Sequence, residues 1–118
     1  MKIIIFSVCL IASLSGCVVG FGVASEPGPP RIESWIKSDT SAEQRVQDSI
    51  ECGGSSLGSN FNDQQIEDER QLGERGYFAP LARLHHKWER CMLSKGYQYT
   101  GLCLDNSVSR ARPACGAP

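Results

Sequence analysis

Apolar residues are distributed unevenly along this chain. Ile3 to Leu14 carries no charge, Val18 to Val23 is apolar and glycine-rich, and from Glu26 onward apolar positions are spaced by polar ones. Thr40-Ser41-Ala42-Glu43 fits a capping box, in which the Thr40 hydroxyl accepts a backbone amide bond and Glu43 reaches back to the cap amide, so a helix is predicted to begin there. Val46, Ile50 and Leu57 recur at near-helical spacing beside small Ala42 and Gly53, and predict one inward-facing stripe. Gly53-Gly54 should end this helix around Cys52, because glycine gives up more conformational freedom in a helix than any other residue.

A second, clearer helix is predicted between Pro80, placed at its first position, and Gly96, placed to cap its end. Leu81, Leu84, Trp88 and Cys91 fall at spacings of three, four and three, with Met92 widening the stripe, so this helix should face a core with Lys87, Glu89 and Arg90 toward solvent. Between the two helices, Asn62 to Leu72 offers only Ile66 and Leu72 for burial and reads as a solvated helix or a loop. After Gly96, Tyr97-Gln98-Tyr99-Thr100 alternates aromatic with polar and predicts one short strand or extended segment. The tail containing Asn106, Arg110, Arg112 and Pro113 is expected to be irregular.

The uncharged run near the start has the form of an export signal: Lys2 supplies the positive charge, Ile3 to Leu14 the apolar stretch, and Ser15-Gly16 the small residues before a cut. Leu14-Ser15-Gly16-Cys17 resembles a bacterial lipobox, and that resemblance implies a diacylglyceryl group on the Cys17 sulfur, cleavage before Cys17 and further acylation of the new N-terminus. Two or more acyl chains hold a protein stably, each buried methylene contributing about 0.8 kcal/mol, whereas one chain binds reversibly. Ordinary secretion and an uncut membrane helix over Ile3 to Ala24 are the competing readings. Gly16, Gly20 and Gly22, and the lack of a basic stop after Ala24, weigh against the membrane helix. In lipoproteins of two-membrane bacteria an Asp after the lipidated Cys commonly retains the protein in the inner membrane. Val18 stands there, which favours the periplasmic face of the outer membrane.

Loss of Lys2 with the signal takes the 12 basic residues to 11 against 13 acidic ones, a formal charge of −2. Without a basic stripe interleaved with aromatics, nucleic-acid binding has no electrostatic footprint. Ser25-Glu26-Pro27-Gly28-Pro29-Pro30 cannot propagate a helix and reads as an extended tether.

Cysteine usage then becomes coherent. With Cys9 discarded and Cys17 lipidated, the exported part keeps Cys52, Cys91, Cys103 and Cys115, an even set for which disulfides are the default in an oxidising compartment. Three pairings are formally possible. Cys52–Cys91 with Cys103–Cys115 is favoured, the first joining the two predicted helices and the second closing a local loop in the tail. A structural zinc site would need a short Cys-x₂₋₄-Cys knuckle and thiol exchange a Cys-x-x-Cys, and neither occurs.

Candidate chemistry is sparse. His85-His86 with Glu89 puts possible ligands on one helical face, though no fourth ligand is indicated. Glu67, Asp68 and Glu69 have nothing apolar around them to shift a pKa, Gly53 to Ser59 lacks the Lys and preceding strand of a phosphate loop, and no serine sits in a nucleophile elbow.

Trp35, Glu51-Cys52-Gly53 and Cys91-Met92-Leu93-Ser94-Lys95-Gly96-Tyr97 together resemble a recurring class of small uncharacterised bacterial lipoproteins with an N-terminal Trp, a helix bearing a Cys, and a later helix ending Cys-Met-x-x-Lys-Gly-Tyr. The resemblance implies a small helical domain with a Cys52–Cys91 bridge and carries no known activity. The expectation is therefore a mainly α protein: a signal peptide over 1–16, a lipid-anchored tether over 17–34, a two- to three-helix domain over 35–100 and an irregular, locally bridged tail over 101–118. Its expected work is non-catalytic and cofactor-free: binding an envelope protein or peptidoglycan, or a structural role, with protection against a cell-wall-active protein as the sharper version. The alternative is a metal-binding or enzymatic periplasmic lipoprotein using His85, His86 and Glu89.

Overall fold

The computed structural model describes residues 31–118; the expected signal peptide, Cys9, Cys17 and the expected tether up to Pro30 lie outside the described residues. The described chain is mainly helical. A 3₁₀ turn over Arg31–Ser34 leads into strand β1 (Trp35–Ile36), followed by helices α1 (Ala42–Glu51), α2 (Asp63–Glu69) and α3 (Phe78–Ser94), strand β2 (Gln98–Tyr99), helix α4 (Ser107–Arg110) and a second 3₁₀ turn at Pro113–Cys115. The strands pair antiparallel, Trp35 opposite Tyr99 and Ile36 opposite Gln98. The expected single extended segment after Gly96 thus has a partner, drawn from the start of the described chain.

Helix ends follow local chemistry. Ser41, not Thr40, caps α1: its hydroxyl accepts the Gln44 amide at 3.1 Å, while the Thr40 hydroxyl donates to the Ser38 carbonyl. Glu43 closes no capping box, because the residue three beyond Ser41 is Gln44, whose amide instead reaches Asp48. At the other end the Gly54 amide donates to the Ser49 carbonyl and the Gly53 amide to that of Ile50, both at 2.9 Å, which is a Schellman closure made possible by Gly53 at φ 91°. The same closure ends α3, with Tyr97 donating to Met92 and Gly96 to Leu93, and Gly96 at φ 95°. Helix α3 begins two residues ahead of Pro80, whose ring is tolerated there because first-turn amides have no helical acceptor.

The core is small: Trp35, Trp88, Met92 and Tyr97, with Cys52, Phe61, Tyr99 and Ala114 packed around them. Trp35 meets Trp88 edge-on, ring centroids 5.2 Å apart. Two expectations about faces fail here. Ile50 and Leu57 are half exposed, and α1 instead buries Asp48 and Ser49. Polar side chains win that face because each has a partner: Ser49 Oγ accepts Trp88 Nε1 at 3.1 Å and donates to the Ser55 carbonyl, while Asp48 accepts the Tyr97 hydroxyl at 2.6 Å. Leu72 is fully exposed, and of the two apolar residues in its segment only Ile66 is buried.

Asn62 to Leu72 takes the helical one of its two expected forms and is mostly exposed, with its ends held by polar contacts. Asn62 and Gln65 form a reciprocal capping box that starts α2. Glu69 at its end is held by Arg83 and by Lys87 at 2.7 Å, and the Arg83 guanidinium forks onto both oxygens of Glu74 at 2.7 and 2.6 Å. This network, Arg83 acting first, holds the Glu74 carboxyl down at about 2.

Two disulfides staple the domain. Cys52–Cys91 joins the end of α1 to α3 with the Cα atoms 5.5 Å apart, and Cys103–Cys115 closes the tail with Cα atoms 5.7 Å apart. The pairing favoured from sequence is the one present.

Candidate functional site: a cleft between the first 3₁₀ turn, α3 and the bridged tail

Arg31–Ser34 stands against the body of the domain because Ile32 is buried and its amide donates to the Leu57 carbonyl at 3.1 Å. Residues expected to close the tether therefore form a wall. The opposite wall is the loop closed by Cys103–Cys115, which supplies Val108 and Arg112, and the floor comes from Trp35, Trp88, Tyr99 and α3. The cleft has a volume of about 500 Å³, within the ordinary range for small-molecule sites.

Glu89 organises the tail wall. The stripe on α3 predicts it toward solvent, yet it is 4% exposed. Its Oε1 accepts Arg112 Nε at 3.0 Å and its Oε2 accepts the Ala114 amide at 2.8 Å. Arg112 also lies over the Tyr99 ring, 5.0 Å from its centroid. The tail is thus ordered by this buried carboxylate as well as by its disulfide, and α4 and the 3₁₀ turn after it replace the expected irregular run. Asn106 starts α4 by accepting the Ser109 amide at 2.9 Å.

The candidate trio of His85, His86 and Glu89 lines the same cleft. Glu89 is already committed to Arg112 and Ala114, and among the described residues no group of three or more His, Cys, Asp or Glu side chains is placed to hold a metal. His85 packs edge-on against Phe61 at 5.1 Å. Burial first, then the nearby Arg31 and Arg112 charges, push its pKa below the ordinary imidazole value, with Glu89 opposing. The four cysteines sit in the two disulfides, away from any ligand role.

Sequence reasoning missed Arg31, Ser59, Tyr99 and Arg112 as cleft residues. Only one signal pointed there: Arg112 lies inside the short loop that a Cys103–Cys115 bridge must fold back on itself. Comparison with family models, with curated proteins and with solved structures finds no significant match. No helix among the described residues is long and apolar enough to cross a membrane.

Proposed function

We propose that this chain is a bacterial envelope lipoprotein, anchored through lipid on Cys17 at the periplasmic face of the outer membrane, whose disulfide-stapled domain works by binding rather than by catalysis. Its target is an envelope protein or a cell-wall component, and a protective or inhibitory action toward a cell-wall-active protein is the sharper form of the idea. The observation that carries the reading is the pair of disulfides. They use all the cysteines left once Cys9 is assigned to the signal and Cys17 to lipid, and bridges of this kind persist in oxidising compartments.

Intact mass of the protein made in a bacterial host tests the anchor. Expected are cleavage before Cys17, added acyl mass, and a further rise of about 4 Da when two disulfides are reduced. An uncut chain, or a Cys17 without acyl groups, overturns the anchor. Capture of a reproducible partner from envelope extracts supports the binding role, and turnover of a cell-wall substrate by the purified protein refutes it.

A further inference from the structure

We propose that the cleft between the Arg31–Ser34 turn and the Cys103–Cys115 loop is a binding site for a small carboxylate, taken by the Arg31 and Arg112 guanidinium groups, with Tyr99 and Val108 contacting its apolar body. The inference does not depend on where the protein resides.

Charge balance selects the ligand class. Arg31 and Arg112 line the cleft with Glu89, so two positive charges face one negative charge and a single positive charge is left over. Glu89 is spent on Arg112 and on the Ala114 amide, and Arg112 engages it through Nε. Among the described residues Arg31 makes no ion pair or side-chain hydrogen bond, so its fork of donors is open to a ligand. A monoanion neutralises this excess, whereas a dianion leaves one negative charge uncompensated.

A hydroxyl able to donate lies in the same cleft. Ser59 lines the cleft on a residue only 8% exposed, and its hydroxyl has no hydrogen bond among the described residues. His85 lines the same cleft, and its pKa is lowered by burial first and by the Arg31 and Arg112 charges after it. Trp35 and Trp88 are almost wholly buried. Contact with the body of the ligand therefore falls to Tyr99, half buried, and to Val108, which is 73% exposed. An Arg-paired carboxylate on a flat apolar body satisfies each of these groups.

Three aromatic probes test the assignment on the full chain in detergent with both disulfides formed: benzoate, its neutral isostere benzamide, and dianionic phenyl phosphate. The readout is the NMR resonances of the His85 ring and the Val108 methyls. Benzoate should shift both and bind about tenfold or more tighter than benzamide. It should also raise the His85 titration, since a bound carboxylate offsets the two arginines. Arg31→Gln, an exposed change outside the core, should weaken benzoate about tenfold while leaving benzamide and the melting temperature unchanged. No shift at about 20 mM benzoate, equal binding of benzamide, or indifference to Arg31→Gln overturns the proposal. Tighter binding of phenyl phosphate overturns the carboxylate assignment.

Discussion

Glu89 and Arg112 meet at 3.0 Å across 23 residues of sequence, and through that contact the C-terminal tail is fastened to the middle of α3. The Glu89 side chain is nearly inaccessible while that of Arg112 is 28% exposed, so the pair straddles the boundary of the domain. Replacing Glu89 with Gln keeps the volume and one acceptor for the Ala114 amide but removes the charge-assisted bond. The expected cost is about 1–3 kcal/mol, read by urea denaturation, with faster hydrogen exchange in 104–114 than in α1. Unchanged exchange in that segment would show that the disulfide alone orders the tail.

Gly54 is packed against both backbone and the core tryptophan. A Cβ there would stand 2.5 Å from Trp88 Nε1 and closer still to the Gly58 carbonyl oxygen, a backbone atom that cannot rotate away. Gly54→Ala should therefore destabilise by about 1–3 kcal/mol, lowering the melting temperature by about 4–8 °C for each kcal/mol. Gly73→Ala meets open space but sits at φ 84°, so it should cost only the smaller strain of a left-handed alanine. A smaller loss at Gly54 than at Gly73 contradicts the packing described for Trp88.

Stability should fall at both ends of the pH scale through one contact. The Tyr97 hydroxyl, ahead of Gln44, Lys95 and Lys37, holds the Asp48 carboxyl below its ordinary 3.8 against the opposing effect of burial. In acid the unfolded chain takes up that proton first, so this contribution is present above pH 3.8 and disappears as pH falls through the lower folded value. Burial and then the bond to Asp48 push the Tyr97 phenol from 10.0 up to about 12. The unfolded chain loses this proton first, so stability is present below pH 10 and is lost as pH rises through about 12. Tyr97→Phe should cost about 1.5–3 kcal/mol near neutrality. Its gap from the wild type should narrow in strong acid, and the Tyr97 share of the alkaline loss should vanish. A gap independent of pH between neutrality and acid would sink the coupling.

The two bridges should differ in what they protect. In the chain-entropy account their sequence separations of 39 and 12 residues correspond to about 4 and about 3 kcal/mol. Cys52→Ser with Cys91→Ser should reduce global stability and loosen the tryptophan core, since Cys52 packs against it. Cys103→Ser with Cys115→Ser should leave the near-ultraviolet signature of Trp35 and Trp88 intact while the wall carrying Val108 and Arg112 becomes more mobile by hydrogen exchange. Equal loss of the tryptophan signature in both variants refutes this division.

Helix ends and the bridge set were legible in the sequence because they depend on few residues. Gly53 and Gly96 close their helices through amides and carbonyls a turn away, and a conformation that only glycine adopts easily marks such positions in any context. Parity guided the cysteines: the four among the described residues form an even set, and a pairing of helix with helix and tail with tail is the one found. The mainly helical class follows from the same local signals. The cap at Ser41 rather than Thr40 shows their limit, since two adjacent hydroxyls compete and the chain path before the helix selects between them.

The buried face of α1 and the cleft depended on tertiary structure. Periodicity sends Ile50 inward and Glu89 outward, because it treats a polar side chain as one that seeks water. A polar group is buried without loss when a partner meets it, and these partners stand 39, 49 and 23 residues away: Trp88 for Ser49, Tyr97 for Asp48 and Arg112 for Glu89. Arg31 and Arg112, near opposite ends of the described chain, come to one cleft only after these contacts form. Local sequence thus determined where elements stop and which cysteines were available to pair. The buried polar partners, which no local pattern encodes, decided which faces met.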